Sequence, residues 1–232
     1  MPRKNIKRLG SFPLIAYTIA ACRMSTHISR IIVSTDDEEI AGIARQFGAE
    51  VPFIRPKQYA SDRSTDYEFV NHAIRWFLEN EGRLPEYWVH MRPTTPFREA
   101  DTIDRALDSI RQHEDCSSLR SAHLAPESPY KWFLKNEEGF FHSLAEGISN
   151  DDANSGRTNF PPVYVPDGYV DVLRSSYVIE NRKLHGERML AFESPVCVEV
   201  DTQEEFDLLE YQLSKGGIQV HEYLKNHYGE KG

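Results

Sequence analysis

The sequence predicts an α/β fold: one domain on a mainly parallel mixed sheet, with helices on both faces and an inserted arm at about 126–162. Three observations predict it. From Ser11 to Ala125, short β-branched runs alternate with longer stretches whose apolar residues recur at helical spacing. Two S/T-x-x-E patterns, Thr65 with Glu68 and Thr202 with Glu205, stand ahead of apolar periodic runs and mark helix starts. Beyond Pro126 the alternation stops, giving way to a short hairpin pattern and a polar, Gly/Asn-rich stretch.

The elements follow in order. SFPLIAYTIAACRM (11–24) puts Leu14, Ile15, Ile19 and Cys22 on one helical face, with Ser11 and Pro13 as start signals. RIIVS (30–34) is β-branched and reads as a buried strand. DDEEIAGIARQFG has an acidic first turn that suits the helix dipole, and Gly48 as a natural stop. VPFIR (51–55) reads as a short strand, followed by a helix opened by Thr65 with Phe69, Val70, Ala73, Ile74 and Phe77 inward. YWVHM (87–91) is a strand; ADTIDRALDSIRQH is a helix burying Ile103, Ala106, Leu107 and Ile110; SSLRSAHLA (117–125) is a strand. YKWFLKNEEGFFHSL is a hairpin turning near Glu138-Gly139, and 145–160 is a polar loop. VYVPDGYVDVLR and VCVEV (196–200) have strand character, and TQEEFDLLEYQLSKGG is a helix with Phe206, Leu209 and Leu213 inward.

Composition excludes several classes. At 232 residues and 40% hydrophobic, the chain can bury a sizeable core. A net charge of −9 disfavours a general nucleic-acid binder. No apolar stretch approaches spanning length. Cys22, Cys116 and Cys197 are odd in number and far apart, which argues against a disulfide framework and for the reducing cytoplasm. No CxxC or HxxxH occurs, so a zinc site is not expected.

In a parallel α/β sheet, ligands bind beyond the carboxyl ends of the strands. Past VPFIR stand Arg55, Ala60, Asp62 and Thr65; past YWVHM comes RPTTPFR, with Arg92, Thr94, Thr95 and Arg98. Two hydroxyls and two guanidiniums there suit an anionic or sugar-like ligand, although a rigid strand-to-helix loop needs nothing more. Glu199 and Asp201, two apart on one strand face, suit Mg²⁺ beside a phosphate; read plainly, Asp201 caps the last helix and Glu199 is solvated. In RTNFPPVYVPDGY, Arg157 suits a carboxylate and Gly168, after Asp167, an unusual backbone angle. The opening MPRKNIKRL offers Lys4 as a point charge for phosphate and Asn5 for a base or ribose, or else a basic tail.

The order of these segments carries more than any one of them. PRKNIKRLGSFPLIAYTI, RIIVSTDDEEIAGIARQFGAEVPFIRP, ASDRST, RPTTPFR, PPVYVPDGY and VEVDTQEEFD together resemble the cytidylyltransferases that activate sialic-acid-like sugars, from Pro2 to about Leu213. These are the CMP-N-acylneuraminate synthetases and their legionaminic and pseudaminic acid relatives. The resemblance implies a Rossmann-like nucleotidyltransferase fold, a homodimer formed through the inserted arm, and Mg²⁺. It implies CTP and an acidic nine-carbon sugar as substrates, giving CMP-sugar and pyrophosphate. By the same resemblance, Lys4 and Asp201 are catalytic. Lys4, Asn5, Arg55, Ala60, Asp62, Thr65, Arg92 and Thr94 bind nucleotide. Arg157, Asp167 and Gly168 meet the sugar, and Glu199 and Asp201 hold the metal.

The departures set further expectations. Arg92 stands where the sialic-acid enzymes usually carry Gln, Asp167 where they carry Asn, and Glu199 where they more often carry Asp. These favour a legionaminic-type or other nonulosonic acid over sialic acid itself. The family opens with an apolar strand and an ARxGSKG loop ahead of its P-x-K-N. The resemblance therefore places that strand and loop ahead of Met1, and clear activity is expected of a chain that includes them. The rival readings are a non-catalytic sugar-nucleotide-binding or dimerisation homologue, a glycosyltransferase with a carboxylate pair, and a Kdo-type cytidylyltransferase.

Overall fold

The computed structural model describes residues 3–61 and 63–229. The chain begins with a single 3-10 turn at Lys4–Ile6, then a two-residue hairpin of β1 (Arg8–Leu9) and β2 (Phe12–Pro13). Gly10 turns it at φ 57°. Next comes α1 (Leu14–Met24), buried along nearly its whole length from Leu14 to Cys22. A helix apolar all round belongs in the centre of a core, and α1 packs there against α2 (Glu38–Gln46), α4 (Ala100–Arg111) and α7 (Gln219–Tyr228).

The capping signals in the sequence are realised. Asp37 accepts from the N–H groups of Glu39 (2.8 Å) and Ile40 (3.1 Å) at the start of α2. Thr65 and Glu68 form the expected box at α3 (Asp66–Glu81), and Thr202 and Glu205 do so at α6 (Gln203–Ser214). Gly48, at φ 90°, and Gly82, at φ 67°, end α2 and α3.

The sheet is mixed. β3 (Tyr87–His90), β4 (Ser118–Leu124), β7 (Tyr164–Arg174) and β8 (Met189–Glu193) lie in the order β3-β7-β4-β8. β4 and β8 are parallel, whereas β7 enters antiparallel between β3 and β4. That insertion reduces the parallel share below what β–α alternation alone predicts. The arm forms its own antiparallel pair, β5 (Phe133–Lys135) with β6 (Phe141–Ser143), turned at Gly139 with φ 94°. Residues 145–160 hold two short 3-10 turns, at Asp152–Asn154 and Arg157–Asn159.

Three expected strands do not form ladders. Residues 30–34 make one parallel bridge, Ile32 to Glu50, with Val33 N–H donating to Glu50 O at 2.9 Å. VPFIR contributes one bond, Arg55 N–H to Thr35 O at 2.8 Å, and VCVEV one, Val200 N–H to Thr94 O at 2.8 Å. Each run is extended and apolar, but without a continuous backbone partner it stays an extended connection. Conversely, α5 (Ser175–Asn181), α7 and β8 form where no element was expected.

The main core lies between one sheet face and α1, α2, α4, α6 and α7, around Tyr17, Ile19, Ile103, Ile110, Leu119, Val172 and Phe206. On the other face, Leu173 packs with Val70, Ile74 and Val178 from α3 and α5. This gives the helix–sheet–helix layering expected of the fold. Among the described residues, no helix is long and apolar enough to cross a membrane.

Candidate active site

A cleft of about 970 Å³ opens between the extended run 30–35, the start of α1 and the strand β3. Its floor is apolar, with Ile15, Ile19, Ile31, Val33, Val89 and Met91; its rim carries Lys4, Asn5, Arg55, Asp66, His90, Arg92, Thr94 and Glu199. An apolar cavity with a few convergent polar groups is the usual form of a small-molecule site.

The amino-terminal turn is tied to the last strand-like run. Lys4 Nζ donates to Asp201 Oδ1 at 2.6 Å and to Val200 O at 3.1 Å. The segment that looked like a basic tail thus crosses to the carboxylate pair, bringing residues 4 and 201 together. The Asn5 Oδ1 is buried with no hydrogen-bond partner, leaving an acceptor ready for a ligand donor at the cleft wall.

On the opposite wall, Arg55 is half-buried above the Phe69 ring, 5.4 Å from its centroid, and 4.0 Å from the Asp36 carboxylate. Burial pushes its pKa down, partly offset by Asp36. Its Nε makes no hydrogen bond. Ala60 ends a 3-10 turn at Lys57–Tyr59, and Thr65 is occupied as the cap of α3. Asp62 lies outside the described residues.

Arg92 binds Asp66 through Nη2 at 2.7 Å. Its guanidinium lies over Gly168: a Cβ there would be 3.0 Å from Nη1, and the residue has φ 62°. Glycine is therefore required twice, for the backbone angle and for the close approach. Gly168→Ala is expected to lower the melting temperature by about 3–6 °C, for a cost of roughly 1–2 kcal/mol, as thermal unfolding would measure.

Two expectations for this loop are corrected. Arg98 does not face the cleft; it is 1% exposed and braces the loop from within. Asp167 is also turned inward, at 5% exposed: Ser121 Oγ donates to it at 2.7 Å and the Tyr169 N–H at 3.0 Å, and Ser194 and His123 close the set. Its oxygens are taken by the protein, so no sugar contact through that carboxylate is available. Arg157, out on the arm, is not a wall of the cleft and donates to Pro126 O at 3.1 Å.

The carboxylate pair is asymmetric. Glu199 Oε1 accepts from Thr94 Oγ1 at 3.1 Å, which links it to the RPTTP loop. The Asp201 side chain is 67% exposed, and its neighbour Thr202, not Asp201, caps α6. Among the described residues, no group of three or more His, Cys, Asp or Glu is placed to hold a metal. Two hard carboxylate oxygens, one of them well exposed, fit a Mg²⁺ ion whose remaining ligands are phosphate oxygens and water.

Sequence reasoning missed Asp36, Asp66 and His90. Their roles depend on partners 19 to 26 residues away, such as Arg55 for Asp36 and Arg92 for Asp66, so no local pattern marks them. His90 is half-buried on β3, and loss of solvent there pushes its pKa down to about 4, so it is neutral at physiological pH.

The N-acylneuraminate cytidylyltransferase of Escherichia coli O18:K1:H7 is 24% identical over 98% of this chain, which spans 53% of that protein, about half its length. The CMP-N,N'-diacetyllegionaminic acid synthase of Legionella pneumophila is 27% identical over 81% of this chain and 78% of its own. The structure of CMP:2-keto-3-deoxy-manno-octonic acid synthetase complexed with CTP superposes with a TM-score of 0.65 at 12% identity, covering 93% of both chains. That likeness shows the Rossmann-like nucleotidyltransferase fold. Residues 1–151 match the family model described as cytidylyltransferase, well over half the chain, and the chain belongs to that family.

Proposed function

We propose that this protein transfers CMP from CTP to the anomeric hydroxyl of a nonulosonic acid, releasing pyrophosphate. The observation that carries the reading is the convergence of Lys4, Asn5, Arg55, Arg92 and Glu199 on one cleft, with Asp201 bonded to Lys4 beside it. Support for a nonulosonic acid comes from the names of the relatives above, and Arg92, a cation where the sialic-acid enzymes usually carry Gln, favours a legionaminic-type or other nonulosonic acid over sialic acid itself.

In this reading, the sugar hydroxyl oxygen attacks the α-phosphorus, one P–O bond forms, the bond to pyrophosphate breaks, and the hydroxyl proton passes to solvent water or to the departing pyrophosphate. The protein's part is positioning and charge compensation. Arg55, Ala60, Asp62 and Thr65 hold the base and ribose; Lys4 and Asn5 meet the phosphates; Arg92 and Thr94 line the reacting end. Lys4 exchanges its Asp201 partner for phosphate oxygens, which frees that carboxylate. Glu199 and Asp201 would hold Mg²⁺, which offsets triphosphate charge when bound. Gly168 lets Arg92 approach, while Asp167 and Arg98 position the loop rather than touch substrate. We place the protein in the cytoplasm, on three free cysteines and the supply of CTP.

Pyrophosphate release by the full-length gene product, with CTP, Mg²⁺ and a panel of legionaminic, pseudaminic, N-acetylneuraminic and Kdo acids, tests the reading. Turnover with a nine-carbon acid is expected. Turnover with Kdo alone, or glycosyl transfer from a CMP-sugar without CTP use, would overturn it.

The arm at about 126–162 is read as the dimerisation element of a single domain. Its β5–β6 hairpin exposes Trp132, Phe133, Leu134, Phe140 and Phe141, the last two at 69% and 63%. So many exposed aromatics on one small hairpin mark an interaction surface. Phe140→Asp with Phe141→Glu is expected to convert a two-chain species to one chain in light scattering. An unchanged mass would remove the arm from the interface.

A further inference from the structure

One rung of the sheet carries charge where its neighbours are apolar. His90 of β3 and Arg120 of β4 both stand opposite Asp171 of β7. Strand alternation puts all three on the face opposite Val89, Val172 and Leu119, which belong to the main core. On their own face the next rung is Trp88 and Leu173, packed with Val70, Ile74 and Val178. An ionised group at such a place needs a partner, and the Asp171 side chain is only 4% exposed.

The partner is incomplete. Asp171 Oδ1 and Arg120 Nε face each other at 3.9 Å, too far for a hydrogen bond, and neither makes one elsewhere. Burial pushes the Asp171 carboxyl up, while Arg120 and Arg92 pull it back. Around the rung stand two guanidiniums, Arg120 and Arg92, two carboxylates, Asp171 and Asp66, and two imidazoles, His90 and His185, both pushed toward neutrality by burial. Asp167 also pushes the Asp171 carboxyl up, so carboxylates outnumber guanidiniums and the cluster gives no pull on a phosphate or carboxylate. A hydroxyl oxygen suits it: it accepts from Arg120 Nε–H and donates to Asp171 Oδ1, satisfying both orphaned atoms at once. Arg92, His90 and Asp66 line the cleft, Asp171 stands one strand behind His90, and the Arg120 side chain is 31% exposed.

We propose that Asp171 and Arg120 form a hydroxyl-reading subsite for the neutral polyol portion of the acceptor sugar. Asp171 is then a specificity-determining residue. The inference rests on the function proposed above.

The test uses Asp171→Leu, similar in size but without an acceptor, and Asp171→Asn, which keeps one. Acceptor KM should rise tenfold or more in Asp171→Leu and less in Asp171→Asn. The CTP KM should stay within twofold, and the melting temperature should match or exceed wild type, because an unpaired buried carboxylate is gone. Saturation-transfer NMR with N-acetylneuraminic acid needs no turnover: the polyol-chain protons should be saturated by the wild type and much less by Asp171→Leu. An unchanged acceptor KM, or a falling melting temperature with both KM values rising together, would make the pair structural only and overturn the subsite. An NMR signal lost in Asp171→Leu, with no turnover of any acid by the wild type, would sink the proposed function and leave the subsite standing.

Discussion

Arg98→Met is expected to lower the melting temperature by about 10–20 °C. Arg98 is 1% exposed, and all five of its N–H groups are used. Nε donates to Tyr169 O at 2.6 Å. Nη1 donates to Thr18 Oγ1 at 2.9 Å and to Thr95 O. Nη2 donates to Arg92 O at 2.7 Å and Gly168 O at 2.9 Å. Burial lowers its pKa to about 10, which still leaves it charged at neutral pH. One guanidinium therefore joins α1, the RPTTP loop and the bend of β7. Methionine fills similar space but donates nothing, so four carbonyls lose a donor in a place water reaches poorly. At about 1–3 kcal/mol for each group left unpaired, with partial relief, the cost is about 4–6 kcal/mol. Circular dichroism during heating measures it, with Arg98→Lys expected between the two. A melting point within about 3 °C of wild type would show that the loop keeps its shape without this brace.

The Arg98 result also explains what the sequence could and could not disclose. Helices were legible because their signals are local. Asp37, the Thr65–Glu68 and Thr202–Glu205 boxes, and the 3.6-residue spacing of Ile103, Ala106, Leu107 and Ile110 all act within a turn or two. Strand identity is not local. RIIVS, VPFIR and VCVEV have the residues of buried strands, yet a ladder needs a neighbour at 4.7–4.9 Å, and each finds only one or two backbone bonds. β7 was legible as a strand, but its antiparallel entry between β3 and β4 was not, since a strand's residues do not state which neighbours it will join. The helix α7 carries Val220 and Leu224 one turn apart after Gly216-Gly217, but Ile218 at its start offers no side-chain cap to mark it.

The site divides in the same way. Lys4, Asn5, Arg55, Arg92, Thr94 and Glu199 line one cleft, and the order of the motifs pointed to them. Asp167 and Arg98 looked equally suited to a ligand, being polar residues in Pro- and Gly-rich loops. What turns them inward is distant chemistry: Ser121 and Ser194 for the one, Thr18 and the Tyr169 carbonyl for the other. A polar residue in such a loop is equally able to hold the loop or to hold a ligand, and only the nonlocal partners decide.

Asp201→Ala is expected to reduce kcat/KM at least about a hundredfold while leaving the fold intact. The stability half follows from exposure. The side chain is 67% exposed, Thr202 and Glu205 cap α6 without it, and the Lys4 pair it would lose is a surface pair worth about 0–1 kcal/mol. The activity half follows from charge. In the proposed reaction CTP would bring several negative charges to the cleft, where Lys4, the cation assigned to the phosphates, is already 2.6 Å from Asp201. One ammonium cannot offset a triphosphate and a leaving pyrophosphate alone. A divalent ion shared between the phosphates and the Glu199/Asp201 pair would do so. Removing Asp201 should therefore raise the Mg²⁺ concentration needed for half-maximal activity, with the melting temperature within about 2 °C of wild type. Lys4→Met separates the two halves of this argument. It should weaken CTP binding yet leave the Mg²⁺ requirement unchanged or lowered, because the carboxylate loses its competitor. If Asp201→Ala kept near-full activity with the same Mg²⁺ dependence, Asp201 would be only the anchor of Lys4, and the metal would have to be held by Glu199 and substrate alone.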